Sequence, residues 1–160
     1  MIQATTETDF IIRVQTEDNR IETSVASTQI RHLVKFTNDL DKSVYYAYGA
    51  TETIKDRFTK INLTYNTTPN IYTGVTKLFP AGYYKYEIYE VSWKGTVTVS
   101  SGNAPATEDD ILTPVADTKG VVQGLVTKGK MYVAEKDGTQ QVQYTQRQEP
   151  SGTNYIYYGQ

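Results

Sequence analysis

The chain carries few side chains that could act as nucleophiles, proton carriers or metal ligands. Its 160 residues include no cysteine and a single histidine, His32. The lack of thiols excludes disulfides, thiolate zinc sites and cysteine nucleophiles, and one histidine is too few for an ordinary zinc site. A catalytic histidine also needs a nucleophile and an orienting acid, and no spacing supplies them. Because His32 alternates with Ile30 and Val34, we predict a hydrogen-bonded core histidine.

Two groups of carboxylates are the remaining candidates for calcium ligands or for glycosidase acids. They are Asp39 with Asp41, and the run Glu108-Asp109-Asp110. Neither has the spacing of a calcium loop with its distal bidentate glutamate, and nothing in the sequence selects an acid pair for sugar hydrolysis. We predict that they are solvated turn residues. The sequence therefore predicts no enzymatic activity, no metal and no cofactor.

Charge and hydropathy argue against two classes of partner. The formal net charge is -2, from 16 basic and 18 acidic residues, and no basic block stands out. We therefore predict no nucleic-acid partner. The apolar fraction is 38%, and no run approaches the roughly 20 apolar residues of a membrane span, so no membrane partner is predicted. The start of the chain lacks the features of a secretory signal, so we expect either that the protein is intracellular when made or that something else carries it outside.

Alternation of apolar and polar residues predicts an all-β chain with almost no helix. The 14 tyrosines, against 4 phenylalanines and one tryptophan, favour half-buried pleated surfaces. Two hairpins are expected, the second turning at Lys94-Gly95. The predicted strands are 9–14, 30–38, 44–48, 57–65, 82–91 and 96–100.

The most specific motif is the segment 78–86, Leu-Phe-Pro-Ala-Gly-Tyr-Tyr-Lys-Tyr. It has the pattern of a tyrosine corner, in which Tyr84 buries its ring and its hydroxyl bonds upstream backbone. Here the chain resembles fibronectin type III and related immunoglobulin-like sandwiches, whose corner reads Leu-x-Pro-x-Thr-x-Tyr. The resemblance implies an immunoglobulin-like antiparallel β-sandwich over residues 1–100. The residues of its structural corner are Leu78, Pro80, Gly82 and Tyr84.

Composition changes after residue 100. Residues 101–120 are rich in Ser, Gly, Pro, Ala and acid, which predicts a linker. Residues 121–160 are predicted to form a C-terminal β-meander and an assembly tail, with turns at Lys128-Gly129 and at 136–138. An exposed aromatic end costs solubility, so we expect a partner to bury it. The predicted partner-binding residues are Tyr155, Ile156, Tyr157 and Tyr158.

Three outward-facing aromatic residues, Tyr83, Tyr89 and Trp93, admit two interpretations. They could form the stacking platform of a carbohydrate-binding module. They could equally pack against a neighbouring subunit or against the C-terminal meander. Packing is favoured, because the segment 121–160 must cover something.

The segment LFPAGYYKYEIYEV, the missing cysteines and the ending SGTNYIYYGQ also resemble small structural proteins of tailed bacteriophage particles. Many of those proteins pair an immunoglobulin-like sandwich with an arm that laces onto neighbours. The resemblance implies a non-enzymatic virion protein, made in the host cytoplasm. The expected role is a head-associated auxiliary or decoration protein that binds capsid or connector subunits. The alternative is a neck, tail or baseplate component. Its partners would be capsid, portal/neck or tail subunits, in a homo- or hetero-oligomer.

Overall fold

The structure, a computed structural model, describes residues 1–55 and 57–137. Within that part the regular elements are β-strands and three short 3-10 helices, at Glu17–Asn19, Ser27–Gln29 and Ile71–Thr73, and no α-helix is present. The strands are β1 (Ile2–Thr5), β2 (Phe10–Val14), β3 (Ile30–Asn38), β4 (Val44–Tyr48), β5 (Thr51–Lys55), β6 (Phe58–Tyr65), β7 (Val75–Thr76), β8 (Gly82–Ser92) and β9 (Val121–Ala134).

These strands form two sheets that pack face to face. The large sheet has the order β1-β9-β8-β3-β4, and the small sheet has the order β2-β6-β5, with β7 paired to the end of β6. Neighbouring strands are antiparallel except for the β1–β9 and β6–β7 pairs, which are parallel. The prediction of an all-β sandwich is therefore confirmed.

The main core lies between the two sheets and follows from the alternation along each strand. Inward residues of the large sheet, such as Phe36 and Ile88, meet inward residues of the small sheet, such as Ile12 and Ile61, and all four are buried. Burial of each such side chain contributes roughly 1.5–3 kcal/mol before ordering costs. The predicted hairpin of β3 and β4 is present, with Leu33 opposite Tyr48.

A second apolar cluster lies on the outer face of the large sheet. Leu33, Tyr48 and Val91 are buried there beneath residues 93–120, which we call the covering segment and whose first residue, Trp93, is buried in the same cluster. The linker predicted for 101–120 and the strand predicted for 96–100 are both wrong. The physical reason is that the middle of the large sheet is apolar on both faces. Its outer face must therefore be covered, and an irregular chain covers it.

The segment after residue 120 also differs from the prediction. Strand β9 runs without a turn through Lys128-Gly129 and pairs with β8 along its length. A Cβ at Gly129 would lie 2.6 Å from the Tyr86 hydroxyl, so the glycine makes room for a ring and does not mark a turn. Residues 121–134 thus belong to the large sheet of the sandwich and not to a separate meander. Residues 138–160, with the predicted tail, lie outside the described residues.

The predicted corner lies where the chain crosses from the small sheet to the large one. Tyr84 is fully buried, and its hydroxyl donates a hydrogen bond to the Pro80 carbonyl oxygen at 2.6 Å. Leu78 is buried in the main core. Gly82 has a φ of 137°, a conformation that side-chain-bearing residues rarely adopt, which explains glycine at this position.

Candidate protein-interaction surfaces

His32 lies inside the sandwich, 2% exposed. Its Nδ1 contacts the carboxylate of Glu52, and its backbone N–H donates to Glu52 Oε2 at 3.2 Å. Because His32 belongs to β3 and Glu52 to β5, this pair joins the two sheets. The predicted hydrogen-bonded core histidine is confirmed. Sequence reasoning missed Glu52 as its partner, although Glu52 and Ile54 alternate with exposed residues as the inward positions of a strand do.

The surroundings of the His32–Glu52 pair indicate that it serves the fold. An open groove of about 330 Å³ runs beside it, lined by Glu52 together with Ser27, Thr28, Arg31, Thr53 and Ile54. The His32 ring does not line that groove. Across residues 1–55 and 57–137, no group of three or more His, Asp or Glu side chains is placed to hold a metal ion.

The first predicted carboxylate pair, Asp39 and Asp41, lies in the turn between β3 and β4. Asp41 accepts hydrogen bonds from the backbone N–H and the hydroxyl of Ser43, which lower its pKa. Asp39 pairs with Lys130 on the neighbouring edge of the large sheet. The two carboxylates thus bind different groups, as solvated turn residues do.

The second predicted run, 108–110, anchors the covering segment. Glu108 accepts from the Lys35 ammonium and from the Tyr46 hydroxyl, the latter at 2.6 Å. Burial raises the pKa of Glu108, but the hydrogen bonds from Lys35 and Tyr46 outweigh it, so that the net shift is downward. Burial, followed by the hydrogen bond to Glu108, raises the pKa of Tyr46 to about 12. These contacts tie the covering segment to the outer face of β3 and β4.

The predicted sugar-stacking platform is not formed. Trp93 is 0% exposed and Tyr89 is half-buried against the second apolar cluster. Only Tyr83, at 57% exposure, presents a broad surface. A buried indole cannot stack on a sugar, so this interpretation is wrong. The Tyr83 ring lies 5.0 Å from that of Tyr132 on β9, a strand of the segment that the packing interpretation names.

The outer face of the small sheet, by contrast, is uncovered in the part of the chain that the structure describes. It presents three cations, Arg13, Lys55 and Lys60, beside the exposed apolar side chains of Ile11 and Phe58. We call this set of five the basic face. The exposed Asp9 lines the same surface near Ile11 and Lys60, so that cations outnumber carboxylates three to one there. No ion pair involves its three cations within residues 1–55 and 57–137.

Sequence reasoning missed the basic face because its cations are far apart in the chain. Arg13 lies opposite Lys60 across the β2–β6 ladder, and Lys60 lies opposite Thr53 across β5–β6. In the sequence, Lys55 is followed by the oppositely charged Asp56 and Arg57, so no run of basic residues stands out there. Alternation within each strand was the available signal, since the cations occupy the positions that alternate with core residues.

A second exposed surface belongs to the covering segment. Ile111 and Val115 are 88% and 87% exposed, more than any other large hydrophobic residue of the described chain. The exposed carboxylates Asp109 and Asp117 flank them. We call residues 109–117 the acidic loop. Exposed bulky apolar side chains with a polar rim are typical of sites where proteins bind one another.

Hydrogen bonds within the covering segment brace both ends of the acidic loop. At its start, Asp110 accepts from the Thr107 hydroxyl at 2.8 Å and from the Ala106 backbone N–H at 2.8 Å. At its end, the Gly95 backbone N–H donates to the Asp117 carbonyl oxygen at 3.0 Å. Because neighbouring residues hold it on both sides, its apolar tips are presented on a fixed base.

A third surface lies at the corner. A cavity of about 200 Å³ is lined there by Tyr65, Leu78 and the exposed Phe79, among others. Asp137, the last described residue, also lines it. The predicted partner-binding residues 155–158 follow from this point of the chain but lie outside the described residues. Among the described helices, none is long and apolar enough to cross a membrane.

In comparisons with known proteins, no family model matches the chain, no curated protein matches it and no solved structure matches it.

Proposed function

We propose that this protein is a non-enzymatic structural component that works by binding other protein subunits. The observation that carries the proposal is the acidic loop, which holds Ile111 and Val115 almost fully in solvent on an anchored base. Leaving two large apolar side chains exposed gives no folding benefit, whereas a partner that buries them gains roughly 1.5–3 kcal/mol from each before the cost of association.

The setting proposed for this activity is a tailed-bacteriophage particle, on the basis of the sequence resemblance. There the protein would act as a head-associated auxiliary or decoration protein. A neck, tail or baseplate position is the alternative. A sandwich suits this role because its stability does not depend on the bound partner, and its free strand edges and outer faces remain available for contact.

The aromatic end of the chain is proposed as a second point of attachment. Tyr155, Ile156, Tyr157 and Tyr158 would be buried by a neighbouring capsid, portal/neck or tail subunit. The described chain ends beside the corner cavity, whose rim includes exposed Phe79.

Deleting residues 150–160 tests the attachment proposed for the tail. We expect the truncated protein to melt cooperatively, because both sheets lie within residues 1–137. We expect it to lose binding to particle components, measured by the mass of the complex in solution. The matched control replaces Tyr155, Tyr157 and Tyr158 by serine in the full chain, which keeps its length. Binding that survives both changes would contradict the proposal for the tail.

A further inference from the structure

We propose that the acidic loop of one copy of this chain binds the basic face of a second copy, so that the protein self-associates head to tail. This inference rests on the proposed function and names one of its partners. It is carried by the match between two surfaces of the same molecule, each exposed and each combining charge with apolar side chains.

The basic face favours an anionic occupant. Arg13 on β2 lies directly opposite Lys60 on β6. Lys55 lies on the same outer face, on β5, which pairs with the other edge of β6. Like charges at opposed positions of a sheet destabilise it. A carboxylate placed between them relieves that repulsion, and the exposed Ile11 and Phe58 supply apolar contact beside it.

The acidic loop has the complementary composition. Asp109 and Asp117 bracket the two exposed apolar tips, Ile111 and Val115. A second copy therefore offers, in one short segment, carboxylates for the cations of the basic face and apolar side chains for its exposed Ile11 and Phe58. Charge complementarity of this kind selects the partner and its orientation, while buried apolar anchors supply most of the affinity.

Both surfaces are preorganised, which lowers the cost of binding. The basic face is a strand surface held by the β2–β6 and β5–β6 ladders. The acidic loop is held by the contacts of Glu108 just before it, by those of Asp110 at its start and by the Gly95–Asp117 hydrogen bond at its end. Little conformational entropy is lost when surfaces of this kind meet.

The position of the two surfaces determines the type of assembly. The acidic loop extends from the segment that covers the large sheet, whereas the basic face is the outer side of the small sheet. The sandwich lies between them, so that one copy cannot satisfy both surfaces by itself. Such an interface is heterologous, and it generates rings if the rotation closes and open chains if it does not.

Sedimentation of the full-length protein over a range of concentrations gives the first measurement. We expect the average mass to rise with protein concentration at low salt. We expect a smaller rise in 1 M salt, where the screening length drops to about 3 Å and the apolar contacts have to act without the charge pairs. A mass that stays at the monomer value at every concentration and at low salt would overturn the proposal.

Two variants identify the surfaces without reversing any charge. The face variant combines Arg13→Gln with Lys60→Gln, and the loop variant combines Asp109→Asn with Ile111→Ser. Each alone is expected to be monomeric. Because each keeps one intact surface, an equimolar mixture is expected to form 1:1 dimers and nothing larger. Lys77→Gln with Lys128→Gln removes the same charge from other exposed positions and is expected to self-associate like the wild type.

The outcomes separate this proposal from its rivals. If either variant self-associates like the wild type, or if their mixture stays monomeric, the proposed interface is wrong. A monomeric wild type that binds a single-stranded oligonucleotide through Arg13 and Lys60 would show a nucleic acid to be the occupant and would overturn self-association. Tail-dependent binding to particle components in a protein that never self-associates would leave the proposed function standing and remove only this inference.

Discussion

The two outer faces of the sandwich differ in whether another segment of the described chain covers them. On the large sheet, outward residues such as Leu33 and Val91 are buried beneath the covering segment. On the small sheet, the outward positions of β2, β5 and β6 carry Arg13, Lys55 and Lys60, and no described segment covers them. The same alternation operates in both sheets, but only one of them is apolar on both sides.

This difference shows what decides whether a polar, irregular segment is a linker or part of the fold. Residues 101–120 are polar in composition, yet Ala104 is buried and the Tyr48 hydroxyl donates to the Pro105 carbonyl oxygen at 2.7 Å. The need for a cover comes from the sheet beneath and not from the segment itself. A sheet that needs no cover leaves its outer face exposed.

Truncating the largest residue of the covered face should have the greatest effect. Trp93→Ala is expected to lower the free energy of unfolding by about 4 kcal/mol, because it leaves a large cavity under the covering segment. Urea unfolding followed by circular dichroism measures this. Phe58→Ala on the basic face is the matched control, with an expected loss of about 1 kcal/mol for a partly exposed ring. Equal losses would show that the two faces do not differ as described.

Breaking the His32–Glu52 contact between the two sheets should have the second largest effect on stability. Glu52→Gln is expected to cost about 3 kcal/mol, because it replaces one of the two carboxylate oxygens that contact buried His32 by an amide group that cannot accept a hydrogen bond. Asp39→Asn makes the same change in the exposed pair with Lys130 and should cost less than about 1 kcal/mol. If combining Glu52→Gln with His32→Ala gave strictly additive losses, the two residues would not be coupled.

The sandwich could be predicted because its signals are local. Alternation located β2, β3, β4 and β6, and the corner located the crossing between sheets at Pro80 and Tyr84. Strand β9 was divided wrongly because a glycine in a strand and a glycine in a turn look alike in sequence. What distinguishes Gly129 is the Tyr86 ring beside it, a contact between residues far apart in the chain.

The surfaces could be predicted less well, because each is assembled from distant positions. Sequence reasoning treated the carboxylates 108–110 as solvated, whereas Glu108 meets Lys35 and Tyr46 from two other strands. It found no basic patch, because sheet pairing brings Arg13 beside Lys60 across a wide gap in the sequence. The outward placement of Trp93 was correct, but its cover depends on a segment with no periodicity of its own.

A tight contact under the covering segment gives a smaller effect. A Cβ at Gly120 would lie 2.6 Å from the Trp93 ring, so Gly120→Ala is expected to cost about 2 kcal/mol through overpacking. The loss should shrink when Trp93→Phe makes room, and thermal unfolding of the two single variants and the double variant measures this coupling. A loss that is the same beside tryptophan and phenylalanine would mean that the ring does not set the limit.

The smallest expected effect is a dependence on pH that only the covered face shows. The hydrogen bonds from Lys35 and Tyr46 lower the pKa of Glu108 below its ordinary value of 4.5, against the opposing effect of burial. A lowered pKa in the folded state contributes stability above the ordinary pKa, and this stability is lost as pH falls through the lowered value. Glu108→Gln should therefore cost about 1 kcal/mol at neutral pH, and the difference from wild type should shrink in acid.

Lys60→Gln on the basic face is the matched control for this pH series, because no carboxylate bonds Lys60 within the described residues. In dilute monomeric protein, removing its charge should alter stability little, since the change mainly relieves repulsion from Arg13. Denaturant unfolding at several pH values compares the two variants. If Glu108→Gln differed from wild type equally at neutral and acidic pH, ionised Glu108 would not be what anchors the covering segment. The comparison between the two faces would then lose one of its terms, because the covering segment would not be held by an electrostatic contact.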